Sequence, residues 1–324
     1  MKIGIIGAGA IGGLVGVRLA AAGHAVSVLA RGEALAAIRA NGWRLTSEGR
    51  TQQVAVDASD RAEALGPQEL LVVAVKAPAF ASVLPAITAM SSTSTLVVPA
   101  LNGVPWWFDA ARSLDAVDPG GAIAAAIDRR SVVGCVVYPA CSTPEPGHTL
   151  HASGNRIVFG AVPLPDAASD PTQAAGVAAC FADAGFDARE SADIRFEVWH
   201  KLLGNACFNP VSLLVRASTD HLIDDPRVNA LFVAMMKELL ALGAALGVRL
   251  EVDPLDRLAM TRALGRVRTS MLQDAERGRA IELDAILGAV VELADARRIA
   301  IPTLAGVYAL ARLHAHHAGL LPDR

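Results

Sequence analysis

Short apolar runs alternate with alanine-rich segments over the first 190 residues of the chain. The runs at 3–6, 25–29, 70–75 and 95–98 are continuous and rich in β-branched residues, which is typical of strands buried on both faces of a parallel sheet. Segments of helix-like composition separate them. This alternation predicts an α/β fold with a doubly wound, Rossmann-type sheet.

Further strand-like runs follow at 131–138, 149–152 and 156–159. Proline- and glycine-containing turns such as Pro144-Glu145-Pro146-Gly147-His148 separate them. Turns of this composition join antiparallel strands, so we expect these runs to extend the edge of the parallel sheet.

Beyond residue 190 the apolar residues recur at spacings of three and four, with almost no strand-like run. Pro226, Pro254 and Pro302 suit the first turn of a helix, where the missing N–H costs nothing. The pattern predicts an all-helical domain over residues 191–324, after a dinucleotide-binding domain over residues 1–190. The predicted helical segments are 194–209, 226–246, 254–277, 281–297 and 303–317.

Composition narrows the possible partners of the chain. With 324 residues, 53% of them hydrophobic and 19% charged, and a net charge of −3, we expect a folded protein without a nucleic acid partner. The longest apolar stretch, 231–248, contains Lys237 and Glu238, so we expect a buried helix and no membrane partner.

The cysteines and the N-terminus favour a cytoplasmic protein. Cys135, Cys141, Cys180 and Cys207 form no CxxC pair, so we expect neither a metal site nor a disulfide framework. The apolar run after Met1 is too short for the core of a signal peptide.

A glycine-rich hexad, Gly7-Ala8-Gly9-Ala10-Ile11-Gly12, lies between the first strand and the first helix. Gly7 permits a tight turn, Gly9 lets the backbone approach a pyrophosphate, and Gly12 lets helix and strand pack closely. The backbone at Ala10 and Ile11 opens the helix that faces the anion. The hexad predicts a dinucleotide cofactor, although a glycine-rich turn without a ligand has the same sequence.

The end of the second strand favours NADP(H) over NAD(H). An acidic residue there would bind the ribose 2′-hydroxyl, whereas this chain has Arg31, whose guanidinium can bind a 2′-phosphate. The alternative is that Arg31 is an ordinary surface residue and that Glu33 reaches the ribose.

Lysine is rare in this chain, which makes each lysine a candidate for chemistry. The four are Lys2, Lys76, Lys201 and Lys237, among 29 Lys and Arg residues. Lys76 ends a predicted buried strand and Asn102 follows the next one, so both should lie at the carboxyl edge of the sheet, where such folds bind ligands.

Lys201, Asn205 and Asn209 are spaced four residues apart and should share one face of a helix. One ammonium and two amides on a common face suit a small, oxygen-rich substrate. The alternatives are a solvated helix face, or amides that cap a helix end before Pro210.

The motifs described above, together with segments around Ser270 and Glu282, resemble the ketopantoate reductase (2-dehydropantoate 2-reductase) family. They occur in the family's order along nearly the whole chain. The resemblance implies NADPH-dependent reduction of a 2-keto acid to a 2-hydroxy acid in a cleft between a Rossmann domain and a helical domain, within pantothenate biosynthesis. The segments that carry it are the glycine hexad, Val75-Lys76-Ala77, Leu101-Asn102-Gly103, Ile194-Arg195 through Glu197-Val198-Trp199-His200-Lys201-Leu202, Asn205, Asn209-Pro210, Thr269-Ser270-Met271-Leu272-Gln273-Asp274 and Ile281-Glu282-Leu283-Asp284.

The resemblance also implies roles for individual residues. Lys201 would be the general acid that protonates the carbonyl oxygen, and Glu282 would hydrogen-bond a substrate hydroxyl and organise the lysine. Without the resemblance, Glu282 would be interpreted as a favourable charge near the start of a helix. The other implied contacts are Asn205 and Asn209 to substrate hydroxyls, Ser270 to the substrate carboxylate, and Asn102 with Lys76 at the junction of nicotinamide and substrate.

Two positions depart from the family pattern, because Thr219 and Leu287 stand where the family commonly has asparagine. In addition, Trp106, Trp107 and Phe108 follow Asn102 closely. They are either a packed loop or domain contact, or the wall of a pocket for a keto acid bulkier than ketopantoate.

Two further hypotheses come from the sequence. A non-catalytic NADP-binding regulator of the same fold is the alternative to an enzyme. A homodimer through the apolar helices 226–246 and 281–297 is possible, although helices of a core have the same pattern.

Overall fold

The computed structural model describes residues 1–166 and 170–321 and consists of two compact units. The predicted α/β fold, with an N-terminal parallel sheet and a helical C-terminal part, is confirmed. The first unit contains Met1–Leu101, Trp107–Arg112 and Ala122–Ile194, and the second contains Asn102–Trp106, Ser113–Gly121 and Arg195–Arg324. That residue 190 separates a dinucleotide-binding domain from a substrate-binding domain stays a prediction.

A parallel sheet of five strands forms the centre of the first unit. The strand order is β5-β2-β1-β6-β7, and every neighbouring pair is parallel. The central strands are buried on both faces, as continuous apolar runs require. The strands are β1 (Lys2–Ile6), β2 (Ala25–Leu29), β5 (Asp57–Ser59), β6 (Leu70–Val73) and β7 (Leu96–Pro99).

Helices connect these strands in the order that a doubly wound sheet requires. The first helix begins within the glycine hexad, at Ala10, and packs its apolar face on the sheet. The helices of the first unit are α1 (Ala10–Ala21), α2 (Gly32–Asn41), α3 (Ala62–Leu65), α4 (Leu84–Ala89), α5 (Ala122–Ala126) and α6 (Pro171–Asp183).

Two smaller sheets complete the first unit, and here the sequence-based expectation was right only in part. Neighbouring runs pair antiparallel as expected, β8 with β11 and β9 with β10. They belong to separate sheets of order β4-β3-β10-β9 and β12-β11-β8, and a parallel bridge of Val97 with Val132 connects the edge strand β7 to the residue before β8. The pairs β10–β3 and β11–β12 are parallel and join strands far apart in sequence. The strands are β3 (Trp43–Ser47), β4 (Arg50–Val54), β8 (Val133–Val137), β9 (Ala140–Glu145), β10 (His148–Ser153), β11 (Arg156–Ala161) and β12 (Asp187–Glu190).

The second unit is helical, as predicted. A turn of π-helix, Asp284–Gly288, precedes the penultimate helix. The helices are α7 (Ile194–Val215), α8 (Thr219–Asp224), α9 (Pro226–Ala245), α10 (Pro254–Ala263), α11 (Ser270–Glu276), α12 (Ala289–Arg297) and α13 (Pro302–His317).

Two predicted helix boundaries were wrong. The helix α7 continues through Pro210 to Val215, because Pro210 and the next three residues are buried and packing outweighs the lost backbone hydrogen bond. The segment 254–277 is two helices, since Gly265 adopts φ +76° between them.

The long apolar helix α9 is the one helix of the described residues that is long and apolar enough to cross a membrane. Phe232 packs edge-on against Phe208 of α7, and the Trp199 Nε1–H donates to the Leu239 carbonyl at 3.1 Å. Glu238 accepts the first N–H groups of α13, from Thr303 and Leu304. Through these contacts, α9 packs one of its faces against neighbouring helices of its unit.

All four cysteines are free thiols. Burial raises the pKa of the Cys141 thiol to about 12 and also raises the pKa of Cys207. Both therefore carry a proton at neutral pH.

The packing of α1 on β3 gives a test of the first unit. A Cβ at Gly16 would collide with the ring of Trp43, which is fully buried, so Gly16→Ala should lower the free energy of unfolding by about 1–3 kcal/mol through overpacking. The control is Gly176→Ala in α6, where a Cβ meets nothing within 4 Å; it should be neutral or stabilise by about 0.5–1 kcal/mol. Urea denaturation followed by circular dichroism measures both, and equal effects would contradict this packing.

Candidate active site

The glycine hexad forms a tight turn between β1 and α1. Gly7 adopts φ +104°, and its N–H donates to the Leu29 carbonyl at 3.2 Å. A Cβ at Gly7 would lie 3.0 Å from the Ala74 carbonyl oxygen, and one at Gly12 would collide with the Gly7 carbonyl. Both positions therefore require glycine for the turn to pack against its neighbours.

The N-terminus of α1 is open at the same turn. Gly9 is the N-cap, no side chain caps the helix, and a Cβ built on Gly9 meets nothing within 4 Å. Its carbonyl accepts the Gly13 N–H at 2.8 Å, while Ala10 and Ile11 form the half-buried first turn. First-turn N–H groups and the helix dipole favour an anion here, so these residues fit the pyrophosphate of a dinucleotide.

Arg31 lies at the carboxyl edge of the sheet, two residues after β2. It is the N-cap of α2 and is exposed, and within 1–166 and 170–321 its guanidinium has no hydrogen bond or ion pair. Glu33 is the second residue of α2 and is also exposed. Both side chains are accessible to a ligand at this edge.

Lys76 lies close in sequence to the end of β6, at the same edge. The pairing of Ile6 with Val73, and the hydrogen bond from the Ala74 N–H to the Ile6 carbonyl at 2.9 Å, bring this strand end beside the glycine hexad. Lys76 is half-buried and precedes a 3₁₀ turn, Ala77–Ala79. The sequence prediction that Lys76 follows a buried parallel strand is confirmed.

Three polar side chains meet in the second unit. The Lys201 Nζ donates to Asn102 Oδ1 at 2.7 Å, and the Asn102 Nδ2 donates to Glu282 Oε2 at 3.0 Å. All three residues are half-buried. One amide therefore connects an ammonium to a carboxylate, and we call these three residues the polar cluster.

Backbone contacts fix the position of Asn102. Gly103 adopts φ +87°, and a Cβ on it would collide with the Ala285 carbonyl. The Val104 N–H donates to that same carbonyl at 2.8 Å. The loop that carries Asn102 is thus attached to the segment that follows Glu282.

The predicted polar face of α7 contains Lys201, Asn205 and Asn209 at successive intervals of four residues. Lys201 and Asn205 are half-buried and Asn209 is buried. The face is therefore not a solvated one, and its amides do not cap a helix end, because Pro210 lies within the helix.

Ser270 is the first residue of α11 and is exposed. Its neighbour Thr269, to which the sequence motif assigned no role, is buried and caps this helix by accepting the Leu272 N–H. Thr269 Oγ1 also lies 2.5 Å from the Ser212 hydroxyl of α7. A threonine and a serine before an apolar run are typical of a helix N-cap, so the capping role of Thr269 could have been predicted from the sequence.

Trp106, Trp107 and Phe108 are 0–2% exposed, so they pack in the interior, as a packed loop requires. The hypothesis that they form a pocket wall for a bulkier keto acid stays a prediction. At the two positions that depart from the family pattern, Thr219 and Leu287 are also buried, and neither offers an amide.

Comparison with protein families matches both parts of the chain. The family "Ketopantoate reductase PanE/ApbA" matches residues 3–163, and "Ketopantoate reductase PanE/ApbA C terminal" matches residues 193–315. Together the two matches cover most of the chain.

Individual proteins agree with the family match. A 2-dehydropantoate 2-reductase of Mesorhizobium japonicum is 40% identical over 98% of this chain and 99% of its own length. A crystal structure described as a putative ketopantoate reductase from Ralstonia solanacearum is 44% identical, with a TM-score of 0.92 over 98% of each chain.

A more distant neighbour shares only the fold. It is a D-mandelate dehydrogenase in a ternary structure with NADH and anilino(oxo)acetate, 18% identical, with a TM-score of 0.84 over 99% of this chain and 100% of its own. The resemblance found in the sequence motifs is confirmed by the closer matches. The chain belongs to the ketopantoate reductase PanE/ApbA family.

Proposed function

We propose that this protein is an NADPH-dependent reductase that converts a 2-keto acid to the 2-hydroxy acid, with ketopantoate as the first candidate substrate. The observation that carries the proposal is the polar cluster, in which Lys201 is held by Asn102 and Asn102 by Glu282. The activity named for the Mesorhizobium relative supports the same reaction.

All but one of the residues proposed for the cofactor belong to the first unit, the exception being Asn102. Gly7, Gly9 and Gly12, with the backbone at Ala10 and Ile11, would hold the pyrophosphate, and Arg31 the 2′-phosphate. Lys76 and Asn102 would meet the nicotinamide end. When bound, the nicotinamide supplies the hydride that adds to the keto carbon.

Lys201 acts on the carbonyl oxygen of the substrate. Reduction builds negative charge on this oxygen, so an ammonium aimed at it stabilises the transition state more than the ground state. Lys201 Nζ then donates a proton to complete the alcohol. Asn102 and Glu282 restrict the lysine to one direction, because its flexible side chain would otherwise sample many rotamers.

Further polar residues would select the substrate. Asn205 and Asn209 are proposed to bind its hydroxyl groups, and Ser270 its carboxylate. Thr219 and Leu287 would offer less polar contact than asparagine at the same positions, so the identity of the keto acid needs a direct test. Cytoplasmic location, a homodimer and a step in pantothenate biosynthesis stay predictions.

The function itself is tested with a panel of 2-keto acids that includes ketopantoate. We expect NADPH oxidation, followed at 340 nm (a property of the cofactor), with at least one of them. Binding of NADPH without turnover of any keto acid would refute the enzyme and favour the regulatory protein.

The general acid is tested by Lys201→Ala. We expect kcat to fall by about 10²–10⁴-fold, because positioned acid catalysis contributes on that scale, while the dissociation constant of NADPH changes little. The matched control is Lys237→Ala, an exposed lysine of α9 in the same unit, which should keep the wild-type kcat. Unchanged turnover in Lys201→Ala would remove Lys201 from the mechanism.

The cofactor preference is tested by Arg31→Ala. A hydrogen bond to a charged group contributes about 1.5–3 kcal/mol, so NADPH should bind roughly 10- to 100-fold more weakly while NADH binding changes little. Arg50→Ala is the control, since Arg50 is an exposed arginine of β4 in the same unit. Fluorescence titration measures the dissociation constants, and an equal loss for both cofactors would contradict the role of Arg31.

A further inference from the structure

The segment after Glu282 changes its helical register at the π-turn Asp284–Gly288. The Ala289 N–H donates to the Asp284 carbonyl, whereas in an α-helix it would donate to the Ala285 carbonyl. The Ala285 carbonyl accepts the Val104 N–H instead, at 2.8 Å. The change of register therefore makes a backbone acceptor available to the loop that carries Asn102.

The contact between this loop and the π-turn has little freedom. Gly103 approaches the Ala285 carbonyl so closely that any Cβ would collide with it. Asn102 is the neighbouring residue, and it joins Lys201 to Glu282. A shift of the π-turn would therefore move Asn102 relative to the two groups that it connects.

A second set of side chains holds the π-turn in place from α13. The Tyr308 hydroxyl donates to Asp284 Oδ1 at 2.7 Å, and Arg312 Nε lies 3.4 Å from the same oxygen. The Asp284 side chain is only 16% exposed, so a hydrogen bond to its carboxylate is stronger than one in water. Gly288 leaves room for the tyrosine, since a Cβ there would lie 2.8 Å from the hydroxyl oxygen.

We propose that Asp284 and Tyr308 are positioning residues of the reductase. They hold the π-turn in the register in which the Ala285 carbonyl fixes the 102–104 loop, and so place Asn102 between Lys201 and Glu282. Neither residue touches the substrate in this role. The inference rests on the proposed function, because its effect is on the direction of the Lys201 ammonium.

The role predicts a specific kinetic pattern for Tyr308→Phe. We expect kcat to fall about tenfold. This fall is smaller than the roughly 10²-fold loss that a displacement of about 1 Å can cause in an active site. The dissociation constant of NADPH should stay within twofold of wild type, because the glycine hexad is untouched. Turnover is expressed per NADPH-binding site, so that loss of folded protein does not count as loss of kcat.

Variants of Asp284 separate positioning from simple tethering of helices. Asp284→Ala removes the acceptor of Tyr308 and also the contact with Arg312, so it should lower kcat at least as much as Tyr308→Phe. The double variant should cost no more than Asp284→Ala alone, since the Tyr308 hydroxyl has then already lost this acceptor. Asp284→Asn keeps an acceptor oxygen for Tyr308 and should recover most of kcat. Tyr138→Phe removes the only other tyrosine hydroxyl of the chain, in the first unit, and should keep the wild-type kcat.

A crystal structure of Tyr308→Phe tests the geometry without turnover. We expect the Lys201–Asn102 hydrogen bond to be lost or lengthened beyond 3.5 Å, a contact too long for a hydrogen bond. If wild type reduces a 2-keto acid and Tyr308→Phe keeps both its kcat and this hydrogen bond, the positioning role is overturned. If wild type reduces none, the proposed function fails, and an unchanged Lys201–Asn102 distance in the variant would overturn the positioning role independently.

Discussion

The side-chain amide of Asn102 is the interaction on which the polar cluster depends. An amide both accepts and donates, so one residue hydrogen-bonds the Lys201 ammonium and the Glu282 carboxylate together. The three positions lie far apart in the chain, and a half-buried charge without such a partner would be costly. The glycine at 103 and the π-turn after Glu282 both serve this one contact, because they bring the backbone of the loop against the helix.

The parallel sheet could be predicted from the sequence because its signal is local. Strands such as Leu70–Val73 are buried on both faces and are therefore continuous apolar runs. The strand Arg50–Val54 is almost fully exposed and polar, and the pairing of His148–Ser153 with Trp43–Ser47 joins segments 100 residues apart. An exposed polar strand has no apolar pattern to detect, and long-range pairing leaves no local signal, so these sheets were missed.

The candidate site also contains residues that local sequence patterns predict and residues that they do not. The glycine hexad and the interval of four residues from Lys201 to Asn205 are local patterns, and the structure places them in a turn and on one helix as predicted. Glu282 was assigned by resemblance, because a glutamate near a helix start has an ordinary electrostatic reason to be there. Its partner could not be found from spacing, since Asn102 lies 180 residues away. The π-turn also left no signal, because an inserted residue only shifts the apolar period of a helix.

The two candidate sites differ in what they demand of the sequence, and this bears on the choice between an enzyme and a regulator. The open N-terminus of α1 binds an anion through backbone N–H groups, so a protein that only senses a dinucleotide needs little beyond the glycines and one basic residue. The polar cluster depends on side chains. Taking an ammonium, an amide and a carboxylate partly out of water opposes folding unless their geometry is good, and apolar residues would pack there at less cost. A chain without catalysis would gain nothing from this arrangement, whereas a reductase needs a proton donor with a fixed direction.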